Sequence, residues 1–166
     1  MIYENVIGNY EDKELSGKPA DYVDFEWHEL HKKLHRKVSR GGEEFGLRLG
    51  DWVLEKGLKE GDVLGETEQG KLLIVHVLPG QAIVVRGNKS HPGALVRAAY
   101  EIGNTHGALF FGNADDELLT PYSEPVFQLL SHIHGVTVSS EERTFDFRRA
   151  VSTPGHGAGH SHHHGE

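Results

Sequence analysis

Residues 90–107 read SHPGALVRAAYEIGNTHG, and this stretch holds a helix with both ends marked. Ser90 is a good N-cap, Pro92 falls in the first turn where a missing N–H costs nothing, and Gly103 can take the left-handed position that ends a helix. Between them Ala94, Leu95, Ala98, Ala99 and Ile102 recur at helical spacing and form one apolar face. The spacing predicts a helix docked on a core, stopped at Gly103, and followed by a short polar Asn104-Thr105-His106 turn before the apolar run Ala108 to Phe111. His106 is thereby held at the junction of two rigid elements.

Outward from this helix the chain alternates strand and helix signals. A strand Gln81–Arg86 precedes it, and strands Ala108–Phe111 and Glu117–Thr120 follow with a turn at Gly112–Asp116. A second helix runs Ser123–His134, opened by Ser123-Glu124-Pro125, given an apolar face by Val126, Phe127, Leu129, Leu130 and Ile133, and closed by Gly135. Strand Val136–Glu142 completes a β-α-β-β-α-β order, the ferredoxin-like arrangement, with both helices on one face of a four-stranded antiparallel sheet.

Before Pro79-Gly80 the pattern is different. Met1–Val6 reads as an edge strand, Tyr22–Trp27 alternates in part, Phe45–Leu49 alternates cleanly after the Gly41-Gly42 turn, and Val63-Leu64 and Leu72–Leu78 are strands set apart by turns. The expected fold class is α+β in two small domains. Residues 1–78 form an N-terminal all-β domain that binds a peptide or protein, and residues 79–147 form the ferredoxin-like domain. Residues 148–166 offer little to bury, and from Gly155 they are almost wholly Gly, His and Ser, so a disordered His-rich tail is expected.

The composition narrows the chemistry. The chain has 166 residues, thirteen His, no Cys and a formal charge of −8. Nucleic acid is an unfavourable partner for such a field. No apolar run is long enough to span a membrane, and the N-terminus lacks the basic and apolar regions of a signal peptide, so a cytoplasmic protein is expected. Without cysteine there are no disulfides or thiolate zinc sites, and a His-loaded chain points to metals that favour imidazole. His28, His31 and His35 would share one face of a helix, but strand signals flank them, and they read as solvated side chains on a helical turn feeding a hairpin. His76 reads as a satisfied strand histidine. His132 and His134 read as cations placed favourably near a helix C-terminus.

The segment AAYEIGNTHG, the acidic stretch Asp115–Glu117, HKKLHRKVSRGGEEFGLRL at 31–49, GDVL at 61–64 and the His-rich tail occur in the order found in UreE. The chain resembles that family, the nickel metallochaperones of urease maturation, over almost its whole length. In that family a Gly-Asn-basic-His motif supplies the metal-binding histidine, which falls on His106, with Thr105 where a basic residue is usual. The resemblance implies dimerisation through the ferredoxin-like domains, with one Ni(II) bridging two copies of His106. It implies no enzymatic turnover, and delivery of Ni(II) to apo-urease through the GTPase of the maturation complex. Extra histidines that some relatives carry before the second helix are missing at Pro121–Glu124.

One imidazole is a single ligand, so a twofold dimer that doubles it and a tail that adds His156 and His160 would complete the site, with His162, His163 and His164 as additional, weaker sites that raise loading. Zn(II) or Cu(II) would bind the same donors, and metal could join dimers into tetramers. Ala108–Phe111 beside the site is expected to pack across the dimer interface. Two rivals remain at this level. One is a metalloenzyme, whose nearest acid–base candidates would be Asp115, Asp116 and Glu117. The other is a general Ni/Zn/Cu storage protein with a peptide-binding domain.

Overall fold

The computed structural model describes residues 1–152, and they form two compact units. The first comprises Met1–Gly80 with Glu142–Phe147, and the second Gln81–Glu141 with the described residues from Arg148. Neither unit is therefore one continuous stretch of chain.

In the first unit the strands are β1 (Ile2–Tyr3), β2 (Gly8–Asn9), β3 (Ala20–Phe25), β4 (Leu34–Val38), β5 (Glu44–Arg48), β6 (Asp62–Glu66) and β7 (Leu72–Val77). They form a three-stranded sheet in the order β1-β5-β4 and a four-stranded sheet in the order β2-β6-β7-β3. Alternation explains their burial: in β3, Asp21, Val23 and Phe25 face inward, and Ala20, Tyr22 and Asp24 are half-buried. Val23, Phe25, Leu30, Val53, Leu58, Leu73 and Val75 make a common core. The Gly41-Gly42 turn closes the β4–β5 hairpin because Gly42 has φ 91°, and a Cβ on Gly41 would lie 2.5 Å from the Asp21 carboxylate.

Strand patterns did not disclose α1 (Trp52–Lys56), a short helix inside this otherwise β-rich unit. It ends at Gly57, whose φ of 65° suits glycine and against which the His31 ring packs so closely that a Cβ would fall 2.8 Å from Nε2. The Met1–Val6 edge strand is shorter than expected, reduced to Ile2–Tyr3 paired in parallel with β5. Tyr3 fixes it by donating its hydroxyl to Glu43 at 3.0 Å, and burial together with that carboxylate pushes the phenol up to about 12. His28, His31 and His35 do not share a helical face. A three-residue helical turn, Trp27–Glu29, holds His28, His31 meets Phe147 edge-on with ring centroids 4.4 Å apart, and His35 lies on β4 against Phe25. His76 is satisfied by Glu60 at 3.2 Å.

The second unit contains β8 (Gly80–Gly87), α2 (Pro92–Asn104), β9 (Leu109–Phe111), β10 (Glu117–Pro121), α3 (Glu124–Ser131), β11 (Val136–Arg143) and β12 (Ala150–Ser152). The sheet order β11-β8-β10-β9 places the fourth strand beside the first and the third beside the second, as the β-α-β-β-α-β reading requires. Ile83, Val85, Leu109 and Leu118 from the sheet pack with Ala98 and Ile102 of α2 and with Leu130 and Ile133 at α3. At the far end of the central pair, Glu117 is buried and accepts from Arg86 at 3.0 Å. It also accepts from the Asn113 N–H at 3.0 Å.

Two expectations need correction here. The helix over 90–102 starts later and runs on: His91 is its N-cap, Pro92 its first residue, Gly103 lies within the last turn, and Thr105 is the C-cap. The tail also begins later than residue 148, because Ala150–Ser152 forms a fifth strand, β12, on the open edge of β9. Hydrogen bonding to an unpaired edge supplies what the side chains of this segment lack.

Candidate metal centre

The end of α2 determines how His106 is presented. The His106 N–H bonds the Gly103 carbonyl at 3.0 Å and the Gly107 N–H bonds the Ile102 carbonyl at 3.3 Å, the paired bonds of a Schellman motif. The left-handed residue of that motif is His106 itself, at φ 58°. Among the described residues it is the one non-glycine with positive φ, and histidine tolerates this region better than most residues. Gly103, three positions too early, does not take that role. The His106 side chain is exposed, and among the described residues it has no hydrogen-bond partner. Thr105 is turned back into the helix, its Oγ1 donating to the Ile102 carbonyl at 2.7 Å.

Two features of the second unit bear on this imidazole. The first is β12, which pairs antiparallel with β9 so that Ala150 lies opposite Phe110 and Ser152 opposite Leu109. The chain thus travels toward the His106 end of β9 as it leaves Ser152. Arg149 secures the approach, 3.4 Å from Asp115 and over the Phe111 ring. His156, His160, His162, His163 and His164 lie outside the described residues.

The second is the outer face of α2. Val96 and Tyr100 are 71% and 68% exposed, one turn apart, with Gly93 and Gly103 continuing the same line and nothing within 4 Å of either ideal Cβ. The sequence reading missed this stripe because it sought the face that packs inward. Ala108, Leu109 and Phe110, expected at an interface between copies, are instead 2%, 4% and 0% exposed within their own unit. Phe111 alone of that run is exposed.

The described residues contain no group of three or more His, Asp and Glu side chains able to hold a metal ion. His106 therefore belongs to no such group among the described residues. Two of the three acid–base candidates of the enzyme reading have structural partners: Asp115 pairs with Arg149, and Glu117 is buried against Arg86. No helix among the described residues is long and apolar enough to cross a membrane.

Comparison with known proteins agrees with this architecture. Residues 3–78 match the model for the N-terminal domain of the UreE urease accessory protein, and residues 81–166 match that for its C-terminal domain. A urease accessory protein UreE from Acetivibrio thermocellus is 36% identical over 164 residues, covering 99% of this chain and 100% of that protein. One from Helicobacter pylori strain Shi470 is 33% identical, covering 86% of this chain and 85% of that protein. One from Helicobacter acinonychis is 32% identical, covering 80% and 76%.

Proposed function

The chain belongs to the UreE family of urease accessory proteins, and on that premise we propose that it is a carrier which binds Ni(II) at His106 and delivers it to apo-urease. Its part in urease maturation is that of an accessory chaperone and not of a catalyst. The cargo is held between two copies of the chain in a homodimer, each contributing one His106 imidazole. The observation that carries this reading is the conformation of His106: exposed, without an internal partner, and held in the left-handed region at φ 58° where glycine would be easier.

The α2 stripe supports dimerisation. Val96 and Tyr100 present apolar surface with glycines above and below, so a second α2 could approach closely about a twofold axis. The His106 pair would then lie at one end of the contact. Tail histidines His156, His160, His162, His163 and His164 would add donors, since β12 roots the tail at the same end. Such a composite site releases its ion more readily than a rigid cage.

The other assignments follow the same logic. Residues 79–147 serve metal binding and dimerisation, and residues 1–78 meet a peptide or protein of the maturation complex, its GTPase and apo-urease being the partners. The cytoplasm is the compartment in which this takes place. Zn(II) and Cu(II) compete for the imidazoles, because ligand type alone does not favour nickel.

The test is nickel titration calorimetry with parallel light scattering on the wild-type chain, His106→Ala, and a chain ending at Ser152, which retains β12. One ion per two chains in the truncated protein, lost in His106→Ala, is the expected result. A His106→Ala protein that binds like wild type would sink the proposal.

A further inference from the structure

The opposite end of α2, about 20 Å from His106 at 1.5 Å per residue, carries a cluster of polar side chains that the metal centre does not use. His91, Gly93, Ala94 and Arg97 from the start of α2, with Ile133 and His134 from the segment after α3, line a surface cavity of about 340 Å³. The His91 and His134 rings are 5.0 Å apart and nearly perpendicular, at 83°. Gly135 makes that approach possible: its φ is 98°, and a Cβ there would fall 2.6 Å from the His91 Cβ and 3.0 Å from that of Ala94. Arg97 lies one turn beyond Gly93, on the same side of α2. The space before Gly93 is open, with nothing within 4 Å of its ideal Cβ.

The charge of this cavity runs against that of the chain. The whole sequence carries −8, yet no carboxylate lines the cavity. Among the described residues Arg97 has no ion pair or hydrogen bond, and the two imidazoles have only each other. A pair of imidazoles could also attract a metal ion. Arg97 opposes that, as does the positive end of a 13-residue helix. The same groups favour an anion: a guanidinium presents a planar fork of donors, each imidazole adds a ring N–H, and they approach from two separate segments. A tetrahedral group with several acceptor oxygens can use all of them, where a flat carboxylate cannot.

We infer that this cavity is an oxyanion site that takes a phosphate group, with Arg97 as its principal contact and His91 and His134 as flanking donors. Its test is separate from that of the nickel reading, because the site is too far from His106 to share a ligand with it; Gly93 is common to the cavity and to the α2 stripe. The phosphate belongs either to the free ion or to a nucleotide.

The test uses the full, metal-free chain in a buffer without phosphate. Inorganic phosphate is titrated while the imidazole proton–nitrogen correlations are followed by NMR, and ATP without magnesium is titrated in a second arm. Saturable shifts of His91 and His134, with His106 unmoved, are expected. Arg97→Gln should weaken binding by about tenfold, the scale of one charge-assisted contact, while Arg97→Lys retains part of it. Tighter binding of ATP assigns the site to a nucleotide, and equal binding assigns it to the free ion. No saturable shift overturns the inference, and so does an unchanged response in the folded Arg97→Gln chain. A saturable response of both imidazoles to Zn(II) and none to phosphate overturns it as well.

Discussion

A β-carbon in the left-handed region carries a steric cost that glycine avoids, and His106 stands where glycine most often ends a helix. His106→Gly should therefore stabilise the fold by about 1 kcal/mol and at the same time abolish the nickel site. Thermal unfolding and nickel titration on the same variant check both halves; a less stable glycine variant would show that the imidazole makes compensating contacts. Thr105→Arg should weaken nickel binding a few-fold in calorimetry, since it puts a cation beside the bound one. Motif reading singled out His106. It could not reach the conformation, because a helix ends where the last carbonyls find partners, and Gly103 offers a plausible stop three residues too soon.

Among the elements, β12 has the most consequence for the site. Ala150→Pro should break its pairing with β9 and free the root of the tail. The expected outcome is weaker nickel binding in the full chain and unchanged binding in the chain ending at Ser152, compared by titration. Hairpin β4–β5 carries a separate prediction about pH. Burial lowers the pKa of His35, opposed by its hydrogen bond to the Lys32 carbonyl and by the charge of Glu29, while Lys37 and Lys32 add to the lowering. The unfolded chain, with an imidazole near 6.5, then binds a proton more readily than the folded one. The stability His35 contributes is present above that pH and is lost as pH falls below it. Glu29 acts in a lower window: burial raises its pKa, but the Lys37 hydrogen bond and charge and the Glu26 backbone outweigh this and hold it below 4.5. Urea midpoints from about pH 7.5 to about pH 5.5 should fall for the wild type and stay flatter for His35→Gln. Equal slopes would show that His35 does not govern this range.

For the whole molecule, the proposed carrier needs a second copy, and the exposed stripe on α2 is the surface on which that proposal places it. Val96→Asp with Tyr100→Glu should yield monomers in sedimentation velocity. The same protein should bind nickel more weakly through His106, with its fold intact by circular dichroism. Dimers that survive both changes would move the interface elsewhere. The folded units themselves should tolerate the pair, because neither side chain is buried.

The sequence by itself determined most of the second unit. Helical spacing in α2 and α3, the turn residues between them and the short apolar strands fix a β-α-β-β-α-β order, because each signal is local and its period is set by backbone geometry. It also singled out His106, through a motif of adjacent residues. Tertiary structure decided what depends on partners distant in the chain. β12 forms because β9 has an open edge, although Ala150–Ser152 carries little strand signal of its own. Ala108–Phe110 is buried and Val96 and Tyr100 are left outside because the sheet claims one face of each element. His91 and His134 meet because Gly135 lets two segments 43 positions apart pack together. Periodicity shows which residues share a face; only the assembled fold shows which face remains uncovered.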